Sequence, residues 1–77
     1  MDIQLADLTL HIDETLDRAG RDELEEVLRA IDGVVSVHNP DATPHLAIVQ
    51  YNPDRTDSAE LLRAVTSRGI HAELIGM

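Results

Sequence analysis

The sequence predicts one α+β domain spanning residues 1–77, with the element order β-α-β-β-α-β, and three observations lead there. Apolar residues alternate with polar ones in several short stretches, which is the period of a strand with one buried face. Two intervening stretches switch to the three-and-four spacing of an amphipathic helix. The length of 77 residues and a hydrophobic fraction of 43% suffice for one core and are too small for two.

The first strand is placed at about residues 7–12, where Leu8, Leu10 and Ile12 alternate with Thr9 and His11. Beyond Leu16 the apolar positions fall at Leu24, Val27, Leu28 and Ile31, a helical spacing that Gly33 stops. Two starts fit this helix. Asp17 can cap it, while Asp22 followed by Glu25 makes a capping box, and Gly20 hints at the later start because glycine disfavours a helix interior. Val34 to His38 is rich in β-branched residues and runs into the turn formers Asn39, Pro40, Asp41 and Pro44, which predicts the second strand. The third covers His45 to Tyr51 and is broken by Asn52 and Pro53. Asp57 with Glu60 forms a capping box before Leu61, Leu62, Ala64 and Val65, and this helix is expected to end at Gly69. Ile70 to Ile75 alternates again as the fourth strand.

Right-handed crossovers place strands one and three in the centre of a four-stranded antiparallel sheet, with both helices on one face. This is a ferredoxin-like arrangement. The other face is left open to solvent or to a partner.

Composition removes several functions. The chain has no cysteine, which excludes disulfides, iron-sulfur clusters, thiolate metal sites and cysteine nucleophiles. Fifteen acidic residues against six basic ones give a formal charge of -9, a field that repels nucleic-acid phosphates and anionic lipids. No basic region precedes an apolar run near Met1, and no segment approaches the roughly 20 apolar residues of a membrane span, so a cytoplasmic protein without membrane insertion is expected. Ser36, Ser58 and Ser67 lack a Gly-x-Ser-x-Gly setting and no phosphate-cradling glycine run is present, which argues against an enzyme. The acids from Asp22 to Glu26 form a solvated helix face, and Glu25 and Arg29 are spaced for a surface pair.

Several runs in this order resemble the heavy-metal-associated family, found in copper chaperones, mercury-binding proteins and the N-terminal modules of P-type ATPases. They are Leu10-His11-Ile12, the helix positions Leu24, Glu25, Leu28 and Ile31, Gly33-Val34, Val37, Val49 to Pro53, Leu61 with Ala64-Val65, and Gly69-Ile70 with Ala72. The resemblance covers almost the whole chain and implies the fold and a metal-handling neighbourhood. Its metal motif does not carry over. The two cysteines of the family's Cys-x-x-Cys fall at Asp17 and Gly20, and Glu14-Thr15 replaces the usual Gly-Met before it, so no soft ligand for copper(I) or mercury is present there.

Two features suggest what the domain does instead. The topology gathers His11, His38, His45 and His71 toward one end of the sheet, with His11 and His71 expected as neighbours on the open face. Imidazole suits zinc, nickel or copper(II), and Asp13, Glu14 or Asp17 offers oxygen ligands, although ordinary surface histidines give the same count. The third strand is apolar on both parities; if Ala47, Val49 and Tyr51 face the helices, as the family resemblance implies, Leu46 and Ile48 point outward, and Ile75 has outward parity as well. A non-enzymatic docking module acting through the open sheet face or the acidic first helix, by homodimerisation or on a foreign protein, is therefore the first expectation. A histidine-based carrier or sensor of a divalent metal is the second, and a small-ligand regulatory domain the third. No resident cofactor is expected beyond such a metal.

Overall fold

The computed structural model describes residues 4–75. The elements are β1 (Ala6–Ile12), α1 (Arg18–Arg29), β2 (Val34–His38), β3 (Leu46–Tyr51), α2 (Ser58–Thr66) and β4 (Ala72–Ile75). The sheet order is β2-β3-β1-β4 with every pairing antiparallel, so β1 and β3 are central as expected.

Alternation within β1 sends Leu8, Leu10 and Ile12 inward, where each is at most 2% exposed. Register then aligns Leu8 with Val49 and Leu10 with both Ala47 and Leu74, so one parity of each strand faces the helices. Leu24 and Leu28 of α1 and Leu61 and Val65 of α2 close over that face and complete a single aliphatic core, with Tyr51 at its margin. Burial of these side chains, at about 1.5–3 kcal/mol each, is the main term holding the sheet to the helices.

Asp17 caps α1: its extended backbone and a carboxylate accepting from the Gly20 N–H at 2.8 Å satisfy a free donor of the first turn. The later start at Asp22 is thereby corrected. Gly20 serves close packing within the first turn, because a Cβ there would meet the Asp17 carboxylate at 3.2 Å and the Leu16 Cβ at 3.4 Å. Gly33, with φ +103°, turns the chain from α1 into β2, and its carbonyl accepts from the Asn52 N–H at 2.7 Å. Arg29 pairs with Glu25 at 3.1 Å.

Three boundaries move. The third strand begins at Leu46, whose N–H bonds back to the Thr43 carbonyl in the preceding turn, while His45 gives its carbonyl to the Ile12 N–H at the end of the β1 pairing. The fourth begins at Ala72, since Ile70 and His71 lie in the irregular connection that follows the turn leaving α2. The second helix ends at Thr66, and the turn that follows it is held by backbone bonds from Ser67, Arg68 and Gly69 back to Arg63, Val65 and Thr66. At the start of α2 the Asp57 carboxylate takes the Glu60 N–H, but the Glu60 side chain goes to the Thr56 hydroxyl and leaves the capping box half formed.

Candidate functional site

The open face of the sheet carries the opposite parity of each strand: Asp7, Thr9 and His11 on β1, Leu46, Ile48 and Gln50 on β3, Ser36 and His38 on β2, and Glu73 and Ile75 on β4. A bulge between Val34 and Ser36 turns Val35 out to 56% exposure, and Ile48 is 41% exposed at the middle of β3. No strand bears an arginine. All six stand on α1, on α2 or in the segments flanking α2, and five of them meet acids: Arg29 with Glu25, Arg55 with Asp32, Arg68 with Glu23, and Arg18 and Arg21 with Asp41.

At one end of this face the His11 Nδ1 lies 3.2 Å from an Asp13 carboxylate oxygen and 4.0 Å from one of Glu73. The nitrogen is sequestered from solvent, yet among the described residues no group makes a well-directed hydrogen bond to it. The short distance to Asp13 is therefore an electrostatic contact with poor angular geometry. His45 lies alongside. Its ring stacks on that of His11 with centroids 6.1 Å apart and planes at 18°. Its Nδ1 is 2.7 Å from the Ile12 carbonyl, which can only accept, so Nδ1 holds the proton and Nε2 of the neutral ring keeps its lone pair.

His71 does not sit beside His11. Register opposes His11 to Glu73, and Asp13 donates its N–H to the His71 carbonyl at 2.9 Å, two residues further along. The His71 ring instead meets Glu14, Nδ1 to Oε2 at 2.8 Å, and the same carboxylate accepts the His71 backbone N–H at 2.9 Å. The backbone bond first, then the ring, holds the Glu14 carboxyl below its ordinary value, and the hydrogen bond to Glu14 followed by its charge raises His71. His38 is separate too, because register sets it opposite Ile48, level with Thr9. Of the four histidines, the structure brings His11 and His45 together, and the neighbour that sequence reasoning missed is Glu73.

A second feature missed in the sequence is Asn39, read there as a turn former and here 8% exposed. Its side chain donates to the Pro44 carbonyl at 3.1 Å and to the Leu46 carbonyl at 2.5 Å, and it accepts from Arg21 Nε at 2.7 Å. This network fastens α1 to the β2–β3 loop and fixes where His45 enters the sheet.

The loop between β1 and α1 offers nothing to a soft metal. Asp17 spends a carboxylate oxygen on the helix cap, Gly20 has no side chain, and the sequence contains no cysteine to supply sulfur. Copper(I) or mercury does not fit the residues present there.

These features define a cysteine-free ferredoxin-like domain with the heavy-metal-associated fold, which solved structures bear out. Oxidized MerP from Ralstonia metallidurans CH34 superposes with a TM-score of 0.84 at 18% identity, over 95% of this chain and 100% of that one. The N-terminal domain of a potential copper-translocating P-type ATPase from Bacillus subtilis, solved in its Cu(I)-loaded state, gives 0.85 at 25% identity over 95% and 90%. The mercury-bound form of MerP, a periplasmic protein of bacterial mercury detoxification, gives 0.76 at 16% over 95% and 100%. No protein-family model matches the sequence, and none of the curated protein sequences does. Among the described residues, no helix is long and apolar enough to cross a membrane.

Proposed function

We propose that the chain is a non-enzymatic accessory module of metal or redox handling that docks on a partner protein through its open sheet face. The observation that carries this reading is the composition of that face. Ile48 and Val35 are exposed, Leu46 and Ile75 border them, Asp7, Asp13 and Glu73 lie around them, and no strand residue is an arginine or lysine. Such a face suits an apolar contact rimmed by lysine or arginine and disfavours a second acidic copy. The metal-handling part of the reading draws on the fold shared with MerP and the copper ATPase domain.

The test is site-specific photo-crosslinking in cells of the source organism. A photoreactive residue at position 48 should give a discrete adduct that is lost when Val35→Glu is added, while one at position 26 on the exposed side of α1 should give none. Adducts from position 26 alone would transfer docking to the acidic helix. The reading places the module in the cytoplasm, although periplasmic MerP shares its fold, and fractionation of the same cells tests the compartment.

A further inference from the structure

We infer that His11, Asp13 and Glu73 form a binding site for a divalent first-row cation of the zinc, cobalt and nickel class, on the open sheet face and outside the loop that would carry a thiol site. Each of these residues offers one ligand atom, and the three atoms lie within 4.8 Å of one another. Elsewhere on the molecule acids gather arginines, as Glu25, Asp32, Glu23 and Asp41 do. Among the described residues, Asp13 and Glu73 meet no arginine and have the His11 nitrogen between them.

The second observation is the His11 Nδ1 itself. It is shut off from water and makes no directed hydrogen bond among the described residues, an arrangement that costs free energy unless another group binds there. A cation would be such a group, engaging the lone pair and relieving the repulsion between the carboxylates. One imidazole and two carboxylates are borderline-to-hard donors, suited to zinc, cobalt or nickel and unsuited to copper(I). Three protein ligands leave coordination positions facing solvent, as in an exchangeable site.

The site is built on rigid elements. Asp13 follows β1 directly and is held by its N–H bond to the His71 carbonyl. Glu73 is fixed opposite His11 by the β1–β4 register. The His45 ring packs against His11 from the other side. This inference stands apart from the docking proposal, since a chain that docks and takes no zinc would sink the inference alone.

Zinc chloride titrated into the full 77-residue chain, followed by amide and histidine NMR shifts, tests it. The isosteric variants Asp13→Asn and Glu73→Gln keep the shape, and unchanged spectra without zinc confirm their folding. The expected result is shifts centred on His11, Asp13 and Glu73 and an affinity lowered at least about tenfold in either variant, since even an outer-shell partner is worth 10–100-fold. His38→Ala should bind zinc as the unaltered chain does. Shifts spread along the acidic helix, an affinity insensitive to both isosteric variants, or no response to millimolar zinc would each overturn the site.

Discussion

Gly33→Ala separates two costs that the structure attaches to one backbone position. With φ at +103°, an L side chain is forced into a sparsely populated region at about 1–3 kcal/mol. The new Cβ would also come 2.6 Å from the Arg55 Cβ and 3.2 Å from the Thr56 Cγ2, and relieving such an overlap typically takes about 1–3 kcal/mol. Against these stands a gain of about 0.4–1 kcal/mol from restricting the unfolded chain. Gly69 supplies the control. Its φ is +81° and nothing lies within 4 Å of its ideal Cβ, so Gly69→Ala meets the conformational cost alone. The expected losses are roughly 3 kcal/mol for Gly33→Ala and roughly 1 kcal/mol for Gly69→Ala, the former a large share of a stability of about 4–12 kcal/mol for a domain of this size. Urea unfolding with unchanged slopes reads both. If Gly33→Ala cost under about 0.5 kcal/mol, or if the two variants cost the same, the close approach of Arg55 would not be what demands glycine at position 33.

Copper(I) competed against a thiol chelator should not bind tightly, because the sulfurs present are Met1 and Met77, which lie outside the described residues; one tightly held copper per chain would refute the chemistry assigned to the β1–α1 loop. Any homodimer through Leu46 and Ile48 brings two acidic chains together and should strengthen with salt, so sedimentation showing a salt-insensitive monomer, unchanged by Leu46→Glu and Ile48→Glu, would remove self-association. The Glu14 and His71 pair should favour the folded state most between about pH 4.5 and 6.5, where both are charged. The raised His71 loses its contribution as pH climbs through its folded value, and the lowered Glu14 loses its own as pH falls through its folded value. Glu14→Gln should therefore move the His71 titration, followed by NMR, back toward 6.5, and an unmoved midpoint would mean that the pair does not form in solution.

The fold was legible because the periodicities agreed with one another along the chain. Alternation in β1 identified its buried parity, while β3, apolar on both parities, took its inward set Ala47, Val49 and Tyr51 from the family resemblance, and that set is the one the structure buries. Helix caps were legible to differing degrees. Asp57 lies one turn before an unmistakable apolar run, whereas α1 opens with Arg18, Ala19 and Gly20, whose weak local preferences left Asp17 and Asp22 in competition. Beside the Asp17 cap, Leu16 is half-buried against the core, a tertiary contact that local propensity does not carry.

The candidate site was legible in parity and illegible in register. Sequence alternation places His11 on the open face, but which residue of β4 stands opposite depends on where the turn after α2 ends, and a strand begun at Ile70 instead of Ala72 shifts every expected partner. A shift of two residues preserves the face while exchanging the neighbour, which is why sequence reasoning puts His71 where Glu73 stands. The exchange changes the chemistry. Two imidazoles side by side would be a neutral and weakly binding pair, whereas Glu73 adds a second carboxylate to Asp13 around a nitrogen that the fold has already removed from water. With arginines kept to the helical side of the molecule, that carboxylate pair meets no arginine among the described residues, so the sheet end can answer either a basic partner or a divalent ion, and competition between the two would couple docking to metal. Adding zinc to the crosslinking experiment at position 48 reads this coupling directly: a weaker adduct with zinc, restored by Glu73→Gln, is expected if both occupy the same carboxylates, and an adduct indifferent to zinc would show them to be separate.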